Sequence, residues 1–139
     1  MKNINYLLMC LLFSKGGKLM VIKHSYSEYS HFEATDQYFV NDDQLYFAHL
    51  NRLVWSFVSG AGDGATKDDI TESRFYVVNN QPILCLEKKF TIIKNAKDNP
   101  TPDNVPNKVV ACKPINGLLK DFKPLVSFKD KANKDCLEK

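Results

Sequence analysis

Arginine is almost missing from this chain: of 19 basic residues only Arg52 and Arg74 are arginine. Arginine reads guanine edges and clamps phosphates in two-pronged fashion. A lysine-rich surface with a net charge of +3 therefore argues against sequence-specific nucleic-acid recognition and leaves a weak preference for acidic partners. Histidine is scarce too. His24, His31 and His49 are the whole set, and none falls in an HExxH or cysteine-histidine motif, nor does the chain contain a GxSxG elbow. The four cysteines form no CxxC and no paired spacing with histidine, which excludes the familiar zinc frameworks, and no cofactor is expected. A glycosylation sequon is also lacking, since Asn99 precedes Pro100. No apolar run approaches the ~20 residues needed to cross a bilayer, because Lys15 and Lys18 interrupt the N-terminal one.

What is present begins at the N-terminus. Lys2, the uncharged stretch Tyr6 to Phe13 and the small residues around Ser14-Lys15-Gly16 follow the grammar of a short export signal. We therefore expect residues 1–16 to be a signal peptide, residues 20–139 to be a single domain, and the protein to be periplasmic or secreted. A cytoplasmic location is the alternative. Three other readings compete for the segment. It forms a β-hairpin over residues 6–22, turning at Gly16-Gly17, where two-residue hairpins favour glycine; this register opposes Lys15 with Lys18, an unfavourable pair. A lipidated Cys10 is weaker, because Met9 stands where a small residue is required. A start at Met20 is the last. Removal of Cys10 leaves Cys85, Cys112 and Cys136, and we expect a disulfide between Cys112 and Cys136 with Cys85 as the spare thiol.

The strongest local pattern reads as a helix from Asp42 to Ser59. Asn41 and Gln44 form a capping box, Asp42 and Asp43 suit the first turn, and Gly60 supplies a stop. Tyr46, Leu50, Leu53 and Phe57 form an apolar row, with His49 and Arg52 opposite and Trp55 towards their edge. The glycine-rich stretch from Ser59 to Asp69 fits no phosphate, dinucleotide or calcium loop and reads as a helix-to-strand connector. A period of two then takes over. Arg74–Val78 and Ile83–Leu86 read as strands about Asn79-Asn80-Gln81-Pro82, the second extending towards Ile92 with Cys85 on its more polar face. The proline-containing loop from Asn95 to Lys108 leads to a third strand near Val109–Cys112. A helical turn within Ile115–Phe122 and a last strand at Leu125–Phe128 follow. No internal repeat is evident.

These elements predict an α+β fold: one main amphipathic helix across an antiparallel sheet of three to four strands, five at most. With no catalytic constellation in view, we expect a small non-enzymatic protein-binding module of the inhibitor or immunity-protein type. Its partner is a toxin, a hydrolase or a host complex, and Arg52, Trp55 and His49 are the candidate contact residues. The alternatives are a cytoplasmic inhibitor or adaptor of mobile-element origin and a small thiol enzyme using Cys85 with His49 as base.

Overall fold

Three hairpin turns organise the sheet. Gly16-Gly17, Asp42-Asp43 and Asn79-Asn80 each place two consecutive residues at positive φ, between 48° and 76°. This is the primed two-residue turn whose twist matches that of the strands it joins, and glycine, asparagine and aspartate are the residues that tolerate it. In the computed structural model, which describes residues 9–27, 30–60 and 64–127, these turns link antiparallel strands. They are β1 (Met9–Lys15), β2 (Lys18–Tyr26), β3 (Phe32–Asn41), β4 (Gln44–Phe57), β5 (Thr66–Val78), β6 (Gln81–Ile93) and β7 (Lys108–Val110). All seven lie in one sheet in the order of the sequence. Among the described residues one α-helix, α1 (Asn116–Ser127), follows.

The architecture corrects the expected one. Residues 44–57 are not a helix but β4, the longest strand described, and the described residues form a seven-stranded meander with one short helix. Asn41 to Gln44 is a hairpin turn rather than a helix start. The stretch after Gly60 joins β4 to β5, so it is a strand-to-strand connection, and Thr66 to Asp69 already belong to β5. The final strand expected at Leu125 is also absent: Leu125 to Ser127 are the last turn of α1. In β1 and β2, Lys15 does stand opposite Lys18, and Lys18 Nζ reaches Asp42 Oδ1 at 3.4 Å on the neighbouring turn, which offsets part of the repulsion.

A repeat is present after all. Beside each hairpin turn the ladder slips by one residue, leaving Met20, Tyr46 and Ile83 as the extra residues of three bulges. The units Phe13–Val21, Phe39–Phe47 and Tyr76–Leu84 are superimposable in register: an aromatic residue, two strand residues, the turn pair, two strand residues, the bulge, and an apolar residue that pairs back with the aromatic.

Alternation then sorts the two faces. Ile22, Tyr38, Ala48, Phe75 and Cys85 share one face, and α1 lies on it. Phe122 and Leu125 of the helix are buried there with Ile115, and the Phe122 ring sits 5.6 Å from that of Tyr38. Leu118, Leu119, Phe122, Leu125 and Val126 recur at helical spacing, so one stripe of α1 meets the sheet. Each large side chain buried here contributes roughly 1.5–3 kcal/mol. The odd residues of β6 do share a face, as period two requires, but the core lies on their side. Cys85 is therefore 1% exposed, not presented on a polar surface.

Candidate partner-binding face

The face turned away from α1 carries three rows of side chains running across the strands. The first is apolar: Phe13, Val21, Phe39, Phe47, Tyr76 and Leu84 stand directly opposite one another across six strands. Adjacent rings make an aromatic ladder, with centroids 5.3 Å apart for Phe39 and Phe47 and 4.9 Å apart for Phe47 and Tyr76. Cross-strand aromatic pairs of this kind stabilise a sheet by roughly 0.2–1 kcal/mol each. Tyr46 from the central bulge leans edge-on towards Phe39, at 6.4 Å. Phe13, Tyr46 and Tyr76 are all exposed, at 51%, 46% and 39%.

The second and third rows are polar at the centre. Lys23, Gln37, His49 and Arg74 are in register, and two residues further along stand Asn51, Glu72 and Lys88. Glu72 gathers three cationic or basic groups: His49 Nε2 at 2.8 Å, Arg74 NH2 at 3.4 Å and Lys88 Nζ at 3.6 Å. Glu72 and Lys88 are buried because the proline loop closes over them. Lys88 Nζ donates to the Pro102 carbonyl at 2.8 Å, and Arg74 NH1 donates to Asn107 Oδ1 at 2.6 Å. Asn99 fastens the start of the loop, accepting from the Ile93 amide and donating to its carbonyl, both at 2.7 Å. The cluster thus ties the loop down and leaves the hairpin end of this face open.

At the other end, the sole tryptophan, Trp55, stacks on His31 with centroids 3.6 Å apart. Its indole N–H donates to the Ser30 carbonyl at 3.1 Å, and its carbonyl lies 2.9 Å from His31 Nδ1. Phe57 packs edge-on against the indole at 5.4 Å and is exposed.

Of the three residues expected at a contact surface, His49 and Trp55 lie on this open face. Arg52 lies on the other: an odd separation along a strand reverses the side. There its guanidinium donates to Asp36 Oδ1 and sits 5.5 Å from the centre of the Tyr26 ring. Burial works against the charge of Arg52, but the hydrogen bond and charge of Asp36 outweigh it and hold the pKa above the ordinary value. The Tyr38 hydroxyl donates to Asp36 Oδ2 at 3.4 Å. Burial first, then Asp36 and Asp121, push its pKa far above the ordinary 10.0.

Cys85 is bonded to Cys112, with Cα atoms 5.4 Å apart, so the residue expected as a spare thiol and one half of the expected Cys112–Cys136 bridge meet each other. Cys136 lies outside the described residues. Cys10 is disulfide-bonded as well. A disulfide fits an oxidising compartment. Among the described residues no cluster of three or more histidine, cysteine or acidic side chains is arranged to hold a metal, and no helix is long and apolar enough to cross a membrane.

The residues that reasoning from sequence missed are Phe39, Tyr46, Tyr76 and the Glu72 cluster. The signal for the first three was in the chain, as the thrice-repeated pattern of aromatic, turn pair and bulge. No protein family, curated protein or solved structure matches this chain, and the reading of the face rests on its own geometry.

Proposed function

We propose that this chain is a small non-enzymatic protein-binding module of the inhibitor or immunity-protein type, periplasmic or secreted, that seats its partner on the hairpin end of the open face. The observation that carries the reading is the apolar row across six strands, extended by exposed bulge residues. Contiguous exposed apolar surface is costly in water, and in soluble proteins it marks an interaction site. Tyrosine is also among the residue types that dominate interface energies, since it combines a rigid apolar body with a polar tip. Lys23 beside the row favours a partner whose apolar centre has an acidic rim.

A disulfide-bonded Cys85 offers no thiolate while the bond is intact, which favours the binding reading over a thiol enzyme using Cys85. The experiment is site-specific photocrosslinking in the native host. A benzophenone side chain placed at Tyr46 is expected to capture one protein in stoichiometric yield, whereas the same group at Lys120, on the exposed side of α1, captures none. No adduct from position 46, or equal adducts from both positions, would overturn the proposal.

A further inference from the structure

The helix covers only part of its face. Its buried neighbours are Ile22, Tyr38, Val40, Leu45, Ala48 and Val77, which belong to β2–β4 and the hairpin end of β5. On the same side, β5, β6 and β7 continue past the helix. Residues 111–115 leave β7 and arch back to α1, tethered partway by the bond from Cys112 to Cys85. Between arch, helix and sheet runs a groove of about 570 Å³, within the 300–1,000 Å³ usual for small-molecule sites. Leu50, Phe75 and Val110 floor it and Leu118 forms the helix wall, none of them fully buried. An apolar trough bounded by covalently held chain is the form that binds an acyl or aryl body.

Two features specify the occupant further. The charged residues lining the groove are Glu87, Lys89 and Lys113, two positive against one negative. Glu87 and Lys89 already pair at 3.5 Å, so Lys113 carries the excess charge. The other feature is Gly117, in the first turn of α1. It has no positive φ, and a Cβ added there would meet nothing within 4 Å. Neither backbone conformation nor close packing requires glycine at this position. Its effect is to leave the groove open where α1 passes over it.

We infer that this groove binds a hydrophobic carboxylate, a fatty-acid-like anion whose chain lies over Leu50 and Phe75 beneath Leu118 and whose head group pairs with Lys113. The site is on the opposite face from the partner surface and is independent of it.

The test uses dodecanoate and dodecyltrimethylammonium as probes of the full-length protein, read by calorimetry and by NMR with a nitroxide-labelled acyl chain. The expected result is saturable 1:1 binding of dodecanoate, at least tenfold tighter than the cation, with broadening at Phe75 and Leu118. Lys113→Glu is expected to weaken dodecanoate at least fivefold. Gly117→Leu is expected to abolish binding while leaving the Tm unchanged or raised, and Tyr46→Ser on the other face is expected to leave binding intact. Absence of dodecanoate binding, equal affinity for the cation, or full affinity in Lys113→Glu would each overturn the assignment. The nitroxide map keeps the test decisive even if Gly117→Leu folds poorly: broadening at Phe47 and Tyr76 in place of Phe75 and Leu118 puts the ligand elsewhere.

Discussion

Arg52 and His49 stand three positions apart on β4 and serve opposite faces: Arg52 donates to Asp36 under the helix side, while His49 lies 2.8 Å from Glu72 on the open side. One strand thus holds together two polar clusters that do not meet.

The Asp36–Arg52 pair gives the first prediction. Asp36 is 1% exposed, and removing its charge leaves a largely buried guanidinium without its counter-ion. Asp36→Asn is expected to lower stability by roughly 3 kcal/mol in urea unfolding, whereas Asp36→Leu with Arg52→Met, which removes both charges, is expected to lose much less. An Asp36→Asn variant as stable as the parent would show that the pair is not a structural element.

On the open face, Tyr46→Ser with Tyr76→Ser is expected to reduce affinity for the captured partner at least tenfold, about 1.4 kcal/mol, with only a small change in Tm. Both side chains are exposed, so the folded state loses only their ring contacts with Phe39 and Phe47, roughly 0.2–1 kcal/mol each. The check is partner titration alongside a thermal melt.

How this face was legible, and why β4 was not, follows from the residues themselves. Tyr46, Leu50, Leu53 and Phe57 fall at helical spacing, yet in β4 they are split between faces, because both faces of a central strand are apolar in part. The bulge at Tyr46 breaks the alternation that would have revealed the strand. Asn41-Asp42-Asp43-Gln44 is ambiguous in the same way, since asparagine and aspartate cap helices and also tolerate the positive φ of a primed turn. The aromatic and β-branched content of Tyr46, Phe47, Val54, Trp55 and Phe57 favoured the strand and was outweighed by the apparent cap. By contrast β6 kept its alternation and was read as a strand, but with the faces exchanged, because Leu84 and Leu86 are the more apolar set while Cys85 is the residue that the core buries. At the C-terminus, Leu125 and Val126 look strand-like after Pro124, but burial of Phe122 and Leu125 against Tyr38 carries α1 through the proline. The Cys85–Cys112 pairing was beyond sequence, since connectivity depends on how β6 meets β7.

Tyr38 sets an alkaline limit. Burial raises its folded-state pKa above the 10.0 of an unfolded tyrosine, so the folded protein keeps the proton where the unfolded chain releases it. Its contribution is complete below about pH 10 and is lost above it, at up to roughly 1.4 kcal/mol per pH unit until the folded-state pKa is reached. Tyr38→Phe is expected to flatten the fall in Tm between pH 10 and 11.5, and an unchanged slope would assign that fall to other groups.

The Cys85–Cys112 bond closes a sequence separation of 27 residues. In the chain-entropy account this is worth about 3.5 kcal/mol. Cys85→Ala with Cys112→Ala is expected to unfold at correspondingly lower urea. Loss of less than about 1 kcal/mol would mean that the proline loop and β7 hold the sheet edge unaided.

The N-terminal segment provides the last prediction. Cleavage after Gly16 would remove β1, seven residues paired with β2, together with the bonded Cys10. We expect the intact mass of protein from its native host to include Met9–Lys15, so that export proceeds without cleavage at Gly16. A mature chain beginning at Gly17 would instead bear out the signal-peptide expectation and make β2 the sheet's edge.

Because strand order follows chain order from β1 to β7, a ribosome delivers this sheet one neighbour at a time. Each hairpin can close within microseconds of emerging, long before the next strand is synthesised. The helix that shields Ile22, Tyr38 and Ala48 is made after every strand it covers. The growing sheet therefore waits, nearly assembled, with its future core uncovered. That interval, rather than any slow long-range pairing, is when this protein is most in need of a chaperone.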